Sequence, residues 1–160
     1  MKLKPHLLAA LLLALPAACS SGEVQLPGLG EVVKQKIASQ DATPIALARE
    51  TGFAWDRVFI FEPYRPYEEV LREIGVPWED VQKTGIATRD DAVLLVFLRS
   101  GEVTAFTMYP RGNGDLAEVR APGGLTPEQA LFVARRVDRG GPWTILEFAD
   151  GKLREEGDEE

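Results

Sequence analysis

Residues 91–109 read DAVLLVFLRSGEVTAFTMY, two apolar, β-branched-rich runs on either side of Ser100-Gly101. A small two-residue break between such runs is a hairpin turn. Closing the turn there pairs Arg99 with Glu102, Leu98 with Val103, Phe97 with Thr104, Leu95 with Phe106 and Val93 with Met108. One face then carries Val93, Leu95, Phe97, Phe106 and Met108, with an opposite-charge pair at the turn end. The hairpin locates a core and holds no chemistry.

Upstream, residues 57–62 (RVFIFE) are apolar on both sides of the pleat, the pattern of a strand covered on both faces. Pro63 stops it. Pro66 opens a helix with Tyr67, Val70, Leu71 and Ile74 on one face, and Gly75-Val76-Pro77 closes it. Residues 78–89 are irregular, with Trp78, Val81 and Ile86 expected to cover a core edge. Further back, Leu29, Val32, Val33 and Ile37 fall at helical spacing. A second helix is expected with Thr43 as N-cap, Pro44 at its first position and Gly52 at its end.

Downstream, residues 110–125 form the longest stretch without a clear pattern, and loops of that length tend to be functional or mobile. Within it, 116–120 fits a short edge strand. Thr126 and Gln129 make a capping-box pattern with Pro127 between them, which predicts a helix whose buried stripe is Ala130, Val133, Ala134 and Val137. Gly140-Gly141-Pro142 ends it. Residues 143–149 (WTILEFA) predict a last strand, Asp150-Gly151 a turn into a short strand at 152–155, and the acidic end a disordered tail.

The order from residue 57 is therefore strand, helix, strand, strand, helix, strand. That predicts an α+β fold on a single mixed or antiparallel sheet of four or five strands, with N-terminal helices in front. The ferredoxin-like βαββαβ arrangement fits this order. So does a third-second-first-fourth sheet with a parallel crossover between the first two strands, which would centre the strands that are apolar on both faces.

The 160-residue chain is 45% hydrophobic and 27% charged, ordinary for a globular domain. Its only histidine is His6 and its only cysteine Cys19, so everything beyond residue 19 lacks both imidazole and thiol. That excludes Ser-His-Asp and Cys-His catalysis there, zinc sites built on those ligands, and disulfides within the chain. The net charge is −7; without Lys2 and Lys4, 16 basic residues face 25 acidic ones, or −9. A balance of that sign argues against nucleic acid as a partner. No cofactor or metal motif is present, EF-hand spacing included.

The N-terminal stretch MKLKPHLLAALLLALPAACSS begins with Lys2 and Lys4. Nine residues of only Leu and Ala follow at 7–15, too few for a helix to span a bilayer, which takes about 20. Ala17 and Ala18 precede Cys19, so residues 1–18 read as a signal peptide. The stretch resembles a bacterial lipoprotein signal, with Pro16 standing three before the cysteine and Leu15 one place earlier. That resemblance implies cleavage before Cys19, acylation of its sulfur and amino group, and, with Ser20 next, an outer-membrane lipid anchor facing the periplasm. The alternative is an ordinary secreted chain. Residues 19–30, rich in Ser, Gly and Pro, then read as a lipidated tether, 31–150 as the α+β domain and 151–160 as the acidic tail.

Candidate chemistry is sparse. Adjacent acids at Glu68-Glu69, Glu79-Asp80 and Asp90-Asp91 do not share a face and fit solvated or turn positions better than a glycosidase pair. Gly112-Asn113-Gly114-Asp115 is Gly-rich but lacks the strand-to-helix setting of a phosphate loop. Trp55, Trp78 and Trp143 would suit a sugar platform if clustered, and core-edge packing otherwise. Tyr64, Arg65 and Tyr67 are of the types enriched at binding hot spots. Together with Arg111, Asn113 and Asp115 of the long loop they are the candidate contact residues. The run from Phe53 to Trp78 with the following hairpin also resembles uncharacterised bacterial envelope lipoproteins carrying W-D-x-V/L-x-I/V-F-x-P-Y. Here that motif is Trp55, Asp56, Val58, Ile60, Phe61, Pro63 and Tyr64. These features predict a lipid-anchored, non-catalytic envelope module with a protein or cell-wall partner. The alternatives are a carboxylate-dependent glycan hydrolase and an inhibitor or immunity-type protein.

Overall fold

The computed structural model describes residues 22–150. In chain order these form β1 (Gly22–Glu23), α1 (Pro27–Ser39), β2 (Ile45–Ala46), α2 (Leu47–Thr51), β3 (Arg57–Phe61) and α3 (Tyr67–Ile74). Two 3-10 turns (Glu79–Thr84 and Ile86–Thr88) lead to β4 (Ala92–Arg99) and β5 (Glu102–Pro110). A further 3-10 turn (Arg111–Asn113), β6 (Leu131–Asp138) and β7 (Pro142–Phe148) complete the chain. The α+β class is as expected, but there are two sheets, ordered β1-β5-β4-β3 and β2-β6-β7.

β4 is the strand on which both cores depend. Val93, Leu94, Leu95, Val96 and Phe97 are all completely buried. Val93, Leu95 and Phe97 share one core with Leu29 and Val33 of α1 and with Phe132, Leu146 and Phe148 of the second sheet. Leu94, Val96 and Leu98 share the other with Val70 and Ile74 of α3 and with Trp78, Val81 and Ile86. Fully burying a Leu or Phe contributes roughly 1.5–3 kcal/mol, so a strand buried on both faces anchors two layers at once. β3 has the same two-sided character, with Val58 and Ile60 on one side and Phe59 and Phe61 on the other. It pairs with β4 antiparallel, Phe59 opposite Val96, so no parallel crossover joins the first two long strands.

The hairpin begins in the expected register, Arg99 opposite Glu102 and Leu98 opposite Val103. Phe97 then pairs with Ala105, which leaves Thr104 as the extra residue of a bulge. Every later pair moves by one: Val96 faces Phe106, Leu94 faces Met108 and Val93 faces Tyr109. A one-residue slip turns side chains to the opposite face. Phe106 and Met108 therefore join Val103 under α3, and Tyr109 joins Val93 in the other core. The bulge gathers three large side chains on one face and leaves Thr104 half-exposed.

The helix expected over 126–139 is a strand. Half of its capping pattern forms: Gln129 Oε1 accepts the Thr126 N–H at 3.1 Å, while the Gln129 and Ala130 N–H groups both donate to the Thr126 carbonyl at 3.0 Å. One turn later the chain extends into β6, which pairs with β7 from Phe132–Phe148 to Asp138–Pro142. A helical stripe of Ala130, Val133, Ala134 and Val137 would leave Phe132 outside; alternation puts Phe132 fully inside. Gly140 and Gly141, both at positive φ, turn the hairpin.

The stretch 22–30 belongs to the fold: Gly22 and Glu23 pair parallel with Ala105 and Phe106, and Leu26 and Leu29 are in the core. Ile45 and Ala46 pair with β6 before α2 makes its single turn, which ends at Gly52 in the left-handed region as expected. Residues 116–120 form no strand, although Asp115 bridges Ile145 of β7. Helix α3 matches its sequence reading. Glu68 and Glu69 stand in its first turn, Arg72 in its last, and Gly75 at φ 71° caps it. Cys19, the leader and residues 151–160 lie outside the described residues.

Candidate functional site

The end of β3, the start of β4 and the end of β5 lie at the same end of the first sheet. The link between them is the segment 89–91. Its Arg89 carbonyl accepts the Tyr64 N–H at 3.3 Å, and that N–H also reaches the Ile86 carbonyl at 3.0 Å. Its Asp91 carbonyl accepts the Arg111 N–H at 3.0 Å, and the Asp90 carbonyl accepts from Arg111 Nη1 at 2.8 Å. The two candidate segments therefore meet at one corner, joined through the backbone of residues 89–91. Arg89 itself is clamped to Asp91 at 2.8 and 2.6 Å.

At this corner Tyr64 stands out. Its ring is 58% exposed, the one large hydrophobic side chain so exposed among the described residues. Its φ is +63°, a left-handed backbone that costs a non-glycine residue roughly 1–2 kcal/mol. The two carbonyls at its N–H hold it there.

Arg65 is taken up by structure. It ion-pairs with Glu62 at 3.0 Å, Glu69 at 3.1 Å and Glu73 at 3.1 Å, and Arg120 approaches Glu62 from outside at 3.8 Å. The Glu69 contact is to a Nε shut off from water and lacks hydrogen-bond geometry, so it is an ionic contact only. Burial pushes the Glu73 carboxyl up; Arg65 opposes that shift, while Glu62 and Glu69 add to it. Tyr67 packs with the α3-side core, its hydroxyl 3.5 Å from the Gln82 carbonyl. Of the three ridge residues Tyr64 is the exposed one; Arg65 and Tyr67 are half-buried.

The loop residues form a knot. Asp115, 2% exposed, accepts from Arg111 Nε at 3.0 Å and Nη2 at 2.8 Å, from the Ala117 N–H at 2.9 Å and from Trp143 Nε1 at 3.2 Å. Burial alone would raise its carboxyl, but these donors, Arg111 foremost, hold it below the usual range. The Arg111 guanidinium also lies 5.9 Å from the centre of the Trp143 ring. Asn113 offers its carbonyl to the buried Tyr109 hydroxyl at 2.9 Å, and burial raises that phenol's pKa. The Asn113 side chain sits against Gly30 of α1, where a Cβ would meet it at 3.2 Å. Asn113 and Asp115 thus frame the corner from inside, and Arg111 alone of the loop trio bridges frame and surface.

No protein-family model, curated protein or solved structure matches this chain. Its chemistry must be read from its own residues. A cleft of about 410 Å³ opens on the second sheet, lined in part by Glu118, Arg135, Glu147 and Phe148. Both acids there are taken: Glu147 by Arg135 at 2.9 and 3.0 Å, Glu118 by Arg139. Arg135 lowers the Glu147 carboxyl, the opposite of what a general acid needs. No Trp or Tyr lines the cleft. Among the described residues no group of three Asp, Glu, His or Cys could hold a metal, and no helix is long and apolar enough to cross a membrane.

Sequence patterns do not single out Arg89, and they do not link Asp91 or Trp143, read as a turn acid and a core-edge residue, to this corner. Arg89 and Asp91 flank a turn and bond to each other. Trp143 lies 28 residues beyond the carboxylate it serves. Only the i,i+4 spacing of Arg111 and Asp115 was a local signal for the knot.

Proposed function

We propose that this chain is a lipid-anchored cell-envelope protein acting as a non-catalytic binding module, with the Tyr64 corner as its contact surface. The observation that carries the reading is Tyr64 itself, a largely exposed aromatic held in a costly backbone by two carbonyls. Strain maintained at a surface position is a marker of function. A Tyr ring offers large, rigid, amphipathic area to a protein partner. Arg89, whose carbonyl accepts the Tyr64 N–H, and Arg111, which donates to the Asp90 carbonyl, stand at the same end of the sheet. The anchor rests on the leader and Cys19. The non-catalytic character is supported by the lack of His and Cys beyond residue 19 and by the ion-paired acids of the second-sheet cleft.

Two measurements test this. A palmitate analogue fed to cells should label the wild-type chain and not Cys19→Ala; an unlabelled wild type overturns the anchor. Crosslinking in intact envelopes should then yield a discrete adduct that Tyr64→Ala loses while its melting temperature stays unchanged. Identical adducts from both chains overturn the assignment of the surface.

A further inference from the structure

We infer that the molecule is held on the membrane in one orientation: the β1 edge and the Ser100-Gly101 end of the first sheet rest against the lipid surface, and the Tyr64 corner points away. This rests on the lipid-anchor reading of Cys19 given above. What the structure adds is where the anchored chain enters the fold. Gly22 and Glu23 are paired parallel with Ala105 and Phe106, and the Val24 N–H adds a bond to the Phe106 carbonyl at 2.8 Å. Cys19 stands three residues before Gly22, a separation of at most about 11 Å even when fully extended. An acylated sulfur sits at headgroup level, so the bilayer surface passes within roughly that distance of β1.

The direction of β1 decides which end is near. Because β1 runs parallel to β5, the chain enters it from the Glu102 side. The turn end of the sheet lies three to four residues from Ala105, or roughly 10–14 Å. The other end, at Pro110, lies five residues away, about 17 Å, and Tyr64 is beyond it. Tyr64 is also displaced sideways, because β3 is separated from β1 by three strand spacings, about 14 Å. The Tyr64 corner is therefore diagonally opposite the anchor and outside its reach.

The near surface has no single sign of charge. Arg99 stands across from Glu102, Asp56 accepts the Ser100 N–H at 2.6 Å, and Arg57 donates to the Gly123 carbonyl at 2.6 Å. Such a surface neither demands nor repels anionic headgroups, so the short covalent link, not charge, imposes the orientation. A binding module oriented this way holds its contact residues toward a partner in the aqueous space or wall rather than one in the membrane.

The test uses the full lipidated chain, purified from membranes and weighed to verify acylation. Glu102→Cys and Asp90→Cys place a single reactive thiol at the near and far ends of the sheet, since the Cys19 sulfur is blocked by its acyl group. Both positions are exposed. Each is labelled with a fluorophore and reconstituted in phosphatidylcholine vesicles carrying a headgroup quencher. Quenching is expected to be severalfold stronger at 102 than at 90, with Arg99→Cys matching 102. Inserting a flexible Gly-Ser segment of about ten residues after Ser20 should erase the contrast. Equal quenching at 102 and 90 in the uninterrupted, acylated chain, or stronger quenching at 90, overturns the orientation alone. A chain without the acyl mass overturns the anchor as well.

Discussion

Arg65 and Arg111 stand at the same end of the first sheet and use their guanidinium groups in opposite ways. Arg111 is matched to one carboxylate, Asp115, almost wholly buried and supplied with every donor it needs from Arg111, Ala117 and Trp143. Arg65 is shared among three carboxylates, Glu62, Glu69 and Glu73, that repel one another. The first arrangement lowers its acid and the second raises one. One knot locks the corner; the other leaves a charge in excess beneath it. Burial is not by itself the difference, since it opposes ionisation at both sites. The number of donors per carboxylate is.

The sharpest way to break this comparison is Asp115→Ala. It strands the Trp143 and Ala117 N–H groups and leaves Arg111 without its partner. Removing one member of a buried pair costs about 3–5 kcal/mol, so denaturant unfolding should show a loss of that size. Arg65→Met, at a half-buried group whose carboxylate partners are partly exposed rather than buried like Asp115, should cost less, about 1 kcal/mol. Equal losses would show that the two knots are alike.

The pH dependence separates them further. Asp115 ionises in the folded state below its unfolded value of about 3.9, so its contribution is complete above that pH and disappears as pH falls through the folded value. Glu73 ionises above its ordinary 4.5, so the folded state binds the extra proton and stability declines as pH rises through the folded value. Glu73→Gln should therefore raise the melting temperature modestly at pH 8 and change nothing at pH 4. A drop at pH 8 would mean that its bond to Arg65 outweighs its desolvation.

Tyr64→Gly gives the smallest expected change, and, unlike the Asp115 and Arg65 substitutions, no loss. Relief of the left-handed backbone should offset the added chain entropy, leaving stability equal or up to about 1 kcal/mol higher. A clear loss would show that the ring packs structurally rather than waiting for a partner.

The contrast also shows what sequence patterns can carry. Strand β3, the Ser100-Gly101 turn and helix α3 were legible because each is encoded by neighbours: two-sided apolar runs, a turn dipeptide, a Gly cap. The bulge at Thr104 was not, because one β-branched residue in a strand looks like any other until both faces have to be filled. At Thr126 the Gln129 side chain does reach back to the backbone N–H, but such a contact specifies one turn and not a helix through residues 131–139. At the candidate site, Tyr64, Arg65 and Tyr67 were found as a group, yet only their tertiary partners show that Tyr64 is open. Asp115 was found as a loop acid, while its burial depends on Trp143, which no local pattern connects to it.

Of the residues at this corner, Tyr64 is the one proposed to meet a partner. A photoreactive phenylalanine analogue placed at 64, and separately at 67, tests it most directly in growing cells. A discrete adduct from position 64 with none from 67 is the predicted result. No adduct from 64, or equal adducts from both, would contradict the account.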